Sequence, residues 1–93
     1  FPAIRRDIAV TVDVSLPAVE ILECVKNVAG NLLVNLELFD EYRGKGIDSG
    51  RKSFAMGLTL QESSSTLKDS EVDALLARII VALETEFEAK LRQ

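Results

Sequence analysis

The stretch Leu38–Gln61, "LFDEYRGKGIDSGRKSFAMGLTLQ", has the pattern of a β-hairpin, and the rest of the fold can be built outward from it. Its loop, Gly44–Gly50, holds three glycines, which are residues typical of turns. Beyond the loop, large apolar residues alternate with small ones, the period of a strand with one buried face. The opposite face of this strand is nearly bare: Ser53, Ala55, Gly57 and Thr59.

The first half of the hairpin contains an irregularity, because Leu38 and Phe39 are adjacent apolar residues in an otherwise alternating run. A β-bulge at this point is expected to turn Phe39 into the core and to bring Asp40 and Tyr42 to the opposite face. The second strand is therefore predicted from Leu32 to about Arg43. Its apolar face is predicted to consist of Leu32, Val34, Leu36 and Leu38.

Upstream of the hairpin, the alternation of apolar and polar residues from Arg5 to Asp13 predicts the first strand. Ser15 and Pro17 are expected to open a helix, since Ser can cap a helix and Pro is tolerated in its first turn. Gly30 is expected to end this helix as a C-cap. The buried side of the helix is predicted to carry Ile21, Leu22, Val25 and Val28.

Downstream of the hairpin, Ser70 and Asp73 have the spacing of a capping box ahead of a second helix. The tail Ala89–Arg92 is expected to add a short fourth strand. The order β-α-β-β-α-β predicts a single ferredoxin-like α+β domain over residues 1–93. Because the sequence starts at Phe1 without a Met, we expect it to be a fragment of a longer chain. Its four-stranded antiparallel sheet has two helices on one face and an open second face. The second helix carries the apolar stripe Val72, Leu75, Leu76, Ile79, Ile80, Leu83 and Phe87.

Composition and charge narrow the possible functions. One cysteine, Cys24, and no histidine leave no zinc site and no Cys–His nucleophile pair within this chain. No stretch approaches the roughly 18 apolar residues of a membrane span. The net charge of −4 is unfavourable for nucleic-acid binding. However, cations flank the predicted strands, so we expect a cationic sheet side and an acidic helix side. These cations are Arg5, Arg6, Arg43, Lys45, Arg51 and Lys52.

The open sheet face has the chemistry of a site for a flat ligand. Tyr42 offers a ring on which a nucleic-acid base can stack. Asp40 can accept hydrogen bonds from the N–H edge of a guanine, and Ser53 can donate or accept beside it. Phosphates near such a base would meet the loop cations Arg43, Lys45, Arg51 and Lys52. The same small-residue face also suits a sheet that packs against another domain, with Tyr42 as a solvated aromatic at a strand end.

Three ordered segments, "FPAIRRDIAV", "FDEYRGKGIDSGRKSFAMGLTLQ" and "EVDALLARIIVALETEF", resemble one family over essentially the whole chain. This is the ferredoxin-fold anticodon-binding domain at the C-terminus of bacterial phenylalanyl-tRNA synthetase β chains. The resemblance implies a cytoplasmic α2β2 ligase that uses ATP and Mg2+, with catalysis in the α subunit. It implies a domain without catalytic residues, cofactor or membrane contact, which binds the anticodon stem-loop of phenylalanine tRNA.

The resemblance also implies roles for individual residues. Tyr42 corresponds to the aromatic position that stacks on the first anticodon base, a guanine. Asp40 and Ser53 correspond to positions that hydrogen-bond this base, and Ala9 to a position where the floor meets the anticodon. One departure is Lys68 in "LKD", where the family usually has Thr. The cap of the second helix is therefore expected one or two residues later.

Other functions share this topology. An acylphosphatase needs a phosphate-binding loop with an arginine after the first strand, whereas "VDVSLP" follows it here. A small-molecule regulatory domain often has a glycine at the first strand-to-helix turn, and this chain has none there. A structural docking domain would bury Tyr42, Asp40 and Ser53 against protein and would bind no RNA.

Overall fold

The order β-α-β-β-α-β is present in the computed structural model, which describes residues 1–92. The strands pair antiparallel in the order β2-β3-β1-β4, which confirms the predicted ferredoxin-like α+β fold. Within residues 1–92, neither helix combines the length and apolar character needed to cross a membrane. The elements are β1 (Ile4–Asp13), α1 (Ala18–Ala29), a 3-10 turn (Gly30–Leu32), β2 (Leu33–Tyr42), β3 (Arg51–Leu60), α2 (Asp69–Phe87) and β4 (Lys90–Leu91).

The central strands β1 and β3 form the rigid part of the sheet. Ten consecutive residues pair without a register shift, from Ile4 opposite Leu60 to Asp13 opposite Arg51. Because successive side chains of a strand alternate between faces, this register fixes which residues face the helices. The core side chains from sheet and helices are each less than 2% exposed: Val10, Val12, Phe54, Met56, Leu58, Leu60, Ile21, Val25, Val72, Leu75, Ile79 and Leu83. Burial of each such side chain contributes roughly 1.5–3 kcal/mol to folding.

Helix α1 begins at a different cap from the one predicted. Pro17 occupies the N-cap position, without a side-chain hydrogen bond to the helix. Ser15 instead turns back to Asp13, and its hydroxyl and backbone N–H donate to Asp13 Oδ1 at 2.6 and 2.9 Å. These two bonds lower the pKa of the Asp13 carboxyl. The predicted end is confirmed, since Gly30 has φ 60° and its N–H donates to the Lys26 carbonyl.

Helix α2 also begins differently. Its N-cap is Lys68, whose backbone N–H donates to Glu71 Oε1 at 3.1 Å, one half of a capping box. The predicted box between Ser70 and Asp73 is wrong, as is a cap after Lys68, because the helix has already started at position 69. Asp73 instead pairs with Arg6 at 3.0 Å. Acidic residues in the first turn favour this start, since they complement the positive end of the helix dipole.

The predicted bulge at Phe39 is confirmed, but its consequence for Phe39 is not. The β2–β3 register shifts between Leu38 and Asp40, so Phe39 is the extra residue. Phe39 is 49% exposed, and its ring centroid lies 5.8 Å from the Arg5 guanidinium carbon. The predicted burial of Phe39 is wrong because Leu38 already faces the helix side opposite Met56.

A second bulge, which the sequence pattern did not predict, lies near the start of β2. The register shifts between Leu33 and Asn35, and Val34 is 54% exposed instead of facing the core. Leu32 belongs to the preceding 3-10 turn, and the strand ends one residue before Arg43. Both bulges lie on an edge strand, where a lost ladder hydrogen bond is the least costly.

Candidate nucleic-acid interface

The predicted base-binding residues lie together on the face of the sheet that the helices leave uncovered. The register places Ala9, Ala55 and Asp40 in one row across β1, β3 and β2. The next row holds Thr11, Ser53 and Tyr42. Neighbouring rows on one face are two residues apart, or about 6.8 Å. Tyr42, Asp40, Ser53 and Ala9 are therefore neighbours, although they come from three strands.

Tyr42 is held in position by the loop that follows it. Its hydroxyl donates a hydrogen bond of 2.9 Å to the Lys45 carbonyl. Gly44 adopts φ 122°, and a Cβ added there would lie 3.6 Å from the Tyr42 hydroxyl. The half-buried ring also lies 5.3 Å from the guanidinium carbon of Arg92, measured from the ring centroid. The tyrosine is therefore oriented before any ligand binds.

The other three predicted residues differ in accessibility. Asp40 is exposed and has its carboxylate available at the edge strand. Ala9 is partly buried, and its carbonyl accepts the backbone N–H of Arg92 at 2.8 Å. Ser53 is only 2% exposed even though it belongs to the uncovered face. Side chains of that same face must therefore cover the Ser53 hydroxyl.

Lys52 does not join the other predicted RNA-binding residues. It lies opposite Val12, in phase with the buried side chains of β3, and is 5% exposed. Its Nζ lies 4.8 Å from the ring centroid of Phe54 and 3.7 Å from Glu41 Oε1. The structure thus places Lys52 on the helix side of the sheet, where its charge is paired.

The remaining predicted cations are near the open face, but they differ in whether their charged groups are already hydrogen-bonded to the backbone. Arg51 donates from Nη2 to the carbonyls of Thr11 and Glu88 at 2.8 and 3.0 Å, so its guanidinium holds the end of α2 against β1. Arg43 and Lys45 are exposed in the hairpin loop. These two side chains, unlike Arg51, can turn toward a phosphate without breaking a hydrogen bond to the backbone.

Charge does not separate by sheet face as predicted. On the open face, Arg5 pairs with Asp7 at 3.1 Å and with Glu37 at 3.3 Å. The hydrogen bond to Asp7 raises the pKa of Arg5. The Arg5 guanidinium lies directly over Gly57, where any Cβ would collide with it. Arg5 therefore fills this end of the small-residue floor.

Among residues 1–92, no cluster of three His, Cys, Asp or Glu side chains could hold a metal ion. Cys24 lies buried in α1, and burial, together with nearby Glu86, raises the pKa of its thiol to about 11. The thiol is therefore neutral and unreactive near pH 7.

Comparison with solved structures supports the fold alone. The chain superposes on a hydantoinase/carbamoylase family amidase from Burkholderia ambifaria with a TM-score of 0.59 and 10% sequence identity. The superposition covers 97% of this chain and 27% of the amidase chain. The shared architecture therefore says nothing about the ligand of this sheet.

Sequence comparison is more specific. The chain is 50% identical over 99% of its length to the phenylalanine–tRNA ligase beta subunit of Coxiella burnetii, and 47% identical over 99% to that of Shewanella oneidensis. It spans 12% of the length of each of these relatives. The family described as "Ferredoxin-fold anticodon binding domain" matches residues 1–92. The chain therefore belongs to the ferredoxin-fold anticodon binding domain family.

Proposed function

We propose that this domain binds the anticodon stem-loop of phenylalanine tRNA on its open sheet face, as part of a phenylalanine–tRNA ligase β subunit. The observation that carries the proposal is the anchored ring of Tyr42 beside Asp40 and Ser53, in two adjacent rows above small residues. The domain itself has no chemical step. In the proposed α2β2 enzyme, ATP, Mg2+ and the aminoacylation chemistry belong to other parts, with catalysis in the α subunit.

The arrangement suits a guanine. A base stacked on the Tyr42 ring would present its donor edge to the row of Asp40, whose carboxylate accepts hydrogen bonds only. Adenine presents one amino donor and the acceptor N1 on that edge, so it would offer the carboxylate one hydrogen bond in place of two and would set N1 against its negative charge. The small side chains of Ala9 and Ala55 allow the base to approach the backbone. Discrimination between the two purines is therefore expected to come from Asp40.

Phosphate contacts are expected from the exposed loop cations Arg43 and Lys45. Because the chain carries a net charge of −4, long-range attraction for RNA is weak, and we expect modest affinity for the isolated domain. The rest of the synthetase would supply most of the electrostatic attraction. The role of this domain is then to add discrimination at the anticodon, far from the acceptor end.

A titration of backbone amide resonances with an anticodon stem-loop of phenylalanine tRNA tests the proposal. A second hairpin, changed only at its first anticodon base, is the control. Shifts centred on Ala9, Asp40, Tyr42 and Ser53, and weaker with the changed hairpin, are expected. Equal shifts with both hairpins, confined to residues 43–52, would reduce the interaction to phosphate attraction. No shifts at high RNA concentration would favour a docking domain.

The two lysines of the hairpin are expected to behave differently. Lys45→Met should weaken binding of the stem-loop and reduce the slope of log K against log salt by about 1 if Lys45 meets one phosphate. Lys52→Met should leave both quantities unchanged, since Lys52 is buried and paired with Glu41 on the other side of the sheet. Affinities measured between about 50 and 200 mM salt give both slopes. An equal loss in the two variants would show that general charge, not position, drives binding.

A further inference from the structure

Arg92 reaches the predicted base site from the opposite edge of the sheet. Its backbone N–H donates to the Ala9 carbonyl, beside the edge strand β4, whereas Tyr42 belongs to the other edge strand, β2. Nevertheless, its guanidinium carbon lies 5.3 Å from the centroid of the Tyr42 ring, within cation–π range. The side chains of Arg92 and Tyr42 therefore reach toward each other across the open face, above β1 and β3.

The meeting of these two side chains above the sheet accords with the burial of Ser53. Ser53 lies on β3 directly opposite Tyr42 and is 2% exposed on a face that no helix covers. A side chain that runs from the β4 edge to the Tyr42 ring passes above this position. A base cannot hydrogen-bond the Ser53 hydroxyl while Arg92 and Tyr42 both keep the positions they have in the free domain.

Of these two side chains, Arg92 is the one that is free to move. The Tyr42 hydroxyl is hydrogen-bonded to the Lys45 carbonyl. Within residues 1–92, the Arg92 guanidinium has no hydrogen bond and no ion pair, whereas Arg5 is paired with two carboxylates and Arg51 with two carbonyls. Arg92 thus holds a full positive charge over the base site, and the ring face is its one described partner.

We propose that Arg92 is a further RNA-contacting residue, which covers the base site in the free domain and pairs with a phosphate of the loop once a base replaces it on Tyr42. This inference rests on the proposed function. The exchange leaves no group without a partner, because the ring gains a base stack and the guanidinium gains a phosphate, to which it binds bidentately. Arg92 would then couple entry of the base to capture of the backbone.

Two measurements on the 93-residue chain test the inference. Tyr42 is the single tyrosine, so 3-fluorotyrosine gives one 19F resonance that reports on its ring alone. Stem-loop affinity is measured across salt for the wild type, Arg92→Ala and Arg92→Lys. Arg78→Ala is the matched control, since Arg78 is an exposed arginine of α2, an element on the other side of the sheet.

Arg92→Ala is expected to shift the free 19F resonance, to weaken binding roughly three- to tenfold at low salt, and to lower the salt slope by about 1. At high salt the affinity of Arg92→Ala should equal or exceed that of the wild type. The variant has no Arg92 side chain over the Tyr42 ring, and salt screens the attraction to phosphate in both proteins. Arg92→Lys should keep the slope, and Arg78→Ala should change nothing.

The failure of this inference is distinguishable from failure of the proposed function. A wild-type chain whose 19F resonance responds to the stem-loop, together with an unchanged salt slope in Arg92→Ala, would overturn the role of Arg92 alone. A wild-type 19F resonance that does not respond to any concentration of stem-loop would overturn both. An equal loss of slope in Arg78→Ala would assign the effect to net charge and would also overturn the role of Arg92.

Discussion

Replacing Tyr42 with alanine is expected to weaken binding of the phenylalanine tRNA stem-loop by roughly 1–3 kcal/mol, the contribution of one base–aromatic stack. This corresponds to a loss of affinity of about 5- to 150-fold. The ring is oriented before binding by its hydrogen bond to the Lys45 carbonyl, so little of the stacking energy is spent on ordering it. Isothermal titration of the domain with the stem-loop measures the loss directly.

Tyr42→Phe is the matched control, because it keeps the ring and removes only the hydroxyl, which donates a hydrogen bond to the Lys45 carbonyl. Its affinity is expected to stay within a few-fold of the wild type, since one exposed hydrogen bond contributes about 1 kcal/mol or less. Chemical denaturation of both variants separates loss of binding from loss of folding. A full synthetase that carries Tyr42→Ala and aminoacylates its tRNA with unchanged efficiency would contradict the proposed role.

The parts of the fold that the sequence predicts well are those in which burial enforces a period. β1 alternates from Ile8 to Val12 and β3 from Phe54 to Leu60 because one face packs on the helices, and their register has no shift. The stripe of α2 is predicted for the same reason. Val72, Leu75, Ile79 and Leu83 belong to the core, and Leu76 and Phe87 pack against it. Asp40 and Tyr42 could be placed on the open face from a single irregularity, since an extra residue at Phe39 reverses the parity of the strand.

The errors arise where a local pattern meets a competing interaction. Phe39 and Val34 are apolar but exposed, because each is the extra residue of a bulge on an edge strand. Its neighbours in sequence group Lys52 with the loop cations, but its parity with Phe54, two residues later, places it on the buried face. A basic cluster in a sequence therefore has to be divided by strand parity before it is assigned to one surface.

Arg92 illustrates a different limit. Its contact with Tyr42 joins residues 50 positions apart across the full width of the sheet. No periodicity or motif marks it, because β4 spans only two residues, Lys90–Leu91. The contact becomes visible only when β4 is paired with β1. The four predicted base-binding residues can be placed on one face because each lies on a long strand, whereas Arg92 lies beyond the two-residue strand β4.

The second large effect concerns stability. Phe54→Ala is expected to lower the free energy of unfolding by about 3–5 kcal/mol, the usual cost of removing a buried phenylalanine ring. Phe54 is 0% exposed on a central strand, so its neighbours cannot collapse into the space without distorting the sheet. The ring also supports the buried ammonium of Lys52, 4.8 Å from its centroid. Denaturant unfolding followed by circular dichroism measures the change.

Phe39→Ala is the matched control, since it removes the same ring from a position that is 49% exposed. Its cost is expected to be about 1 kcal/mol, from partial burial and the contact with the Arg5 guanidinium. A small domain has a total stability of roughly 5–15 kcal/mol. Phe54→Ala is therefore expected to lower the denaturant concentration at the midpoint of unfolding strongly, whereas Phe39→Ala is expected to leave the domain folded. Similar losses in the free energy of unfolding for the two variants would contradict the different contributions expected from a buried and an exposed ring.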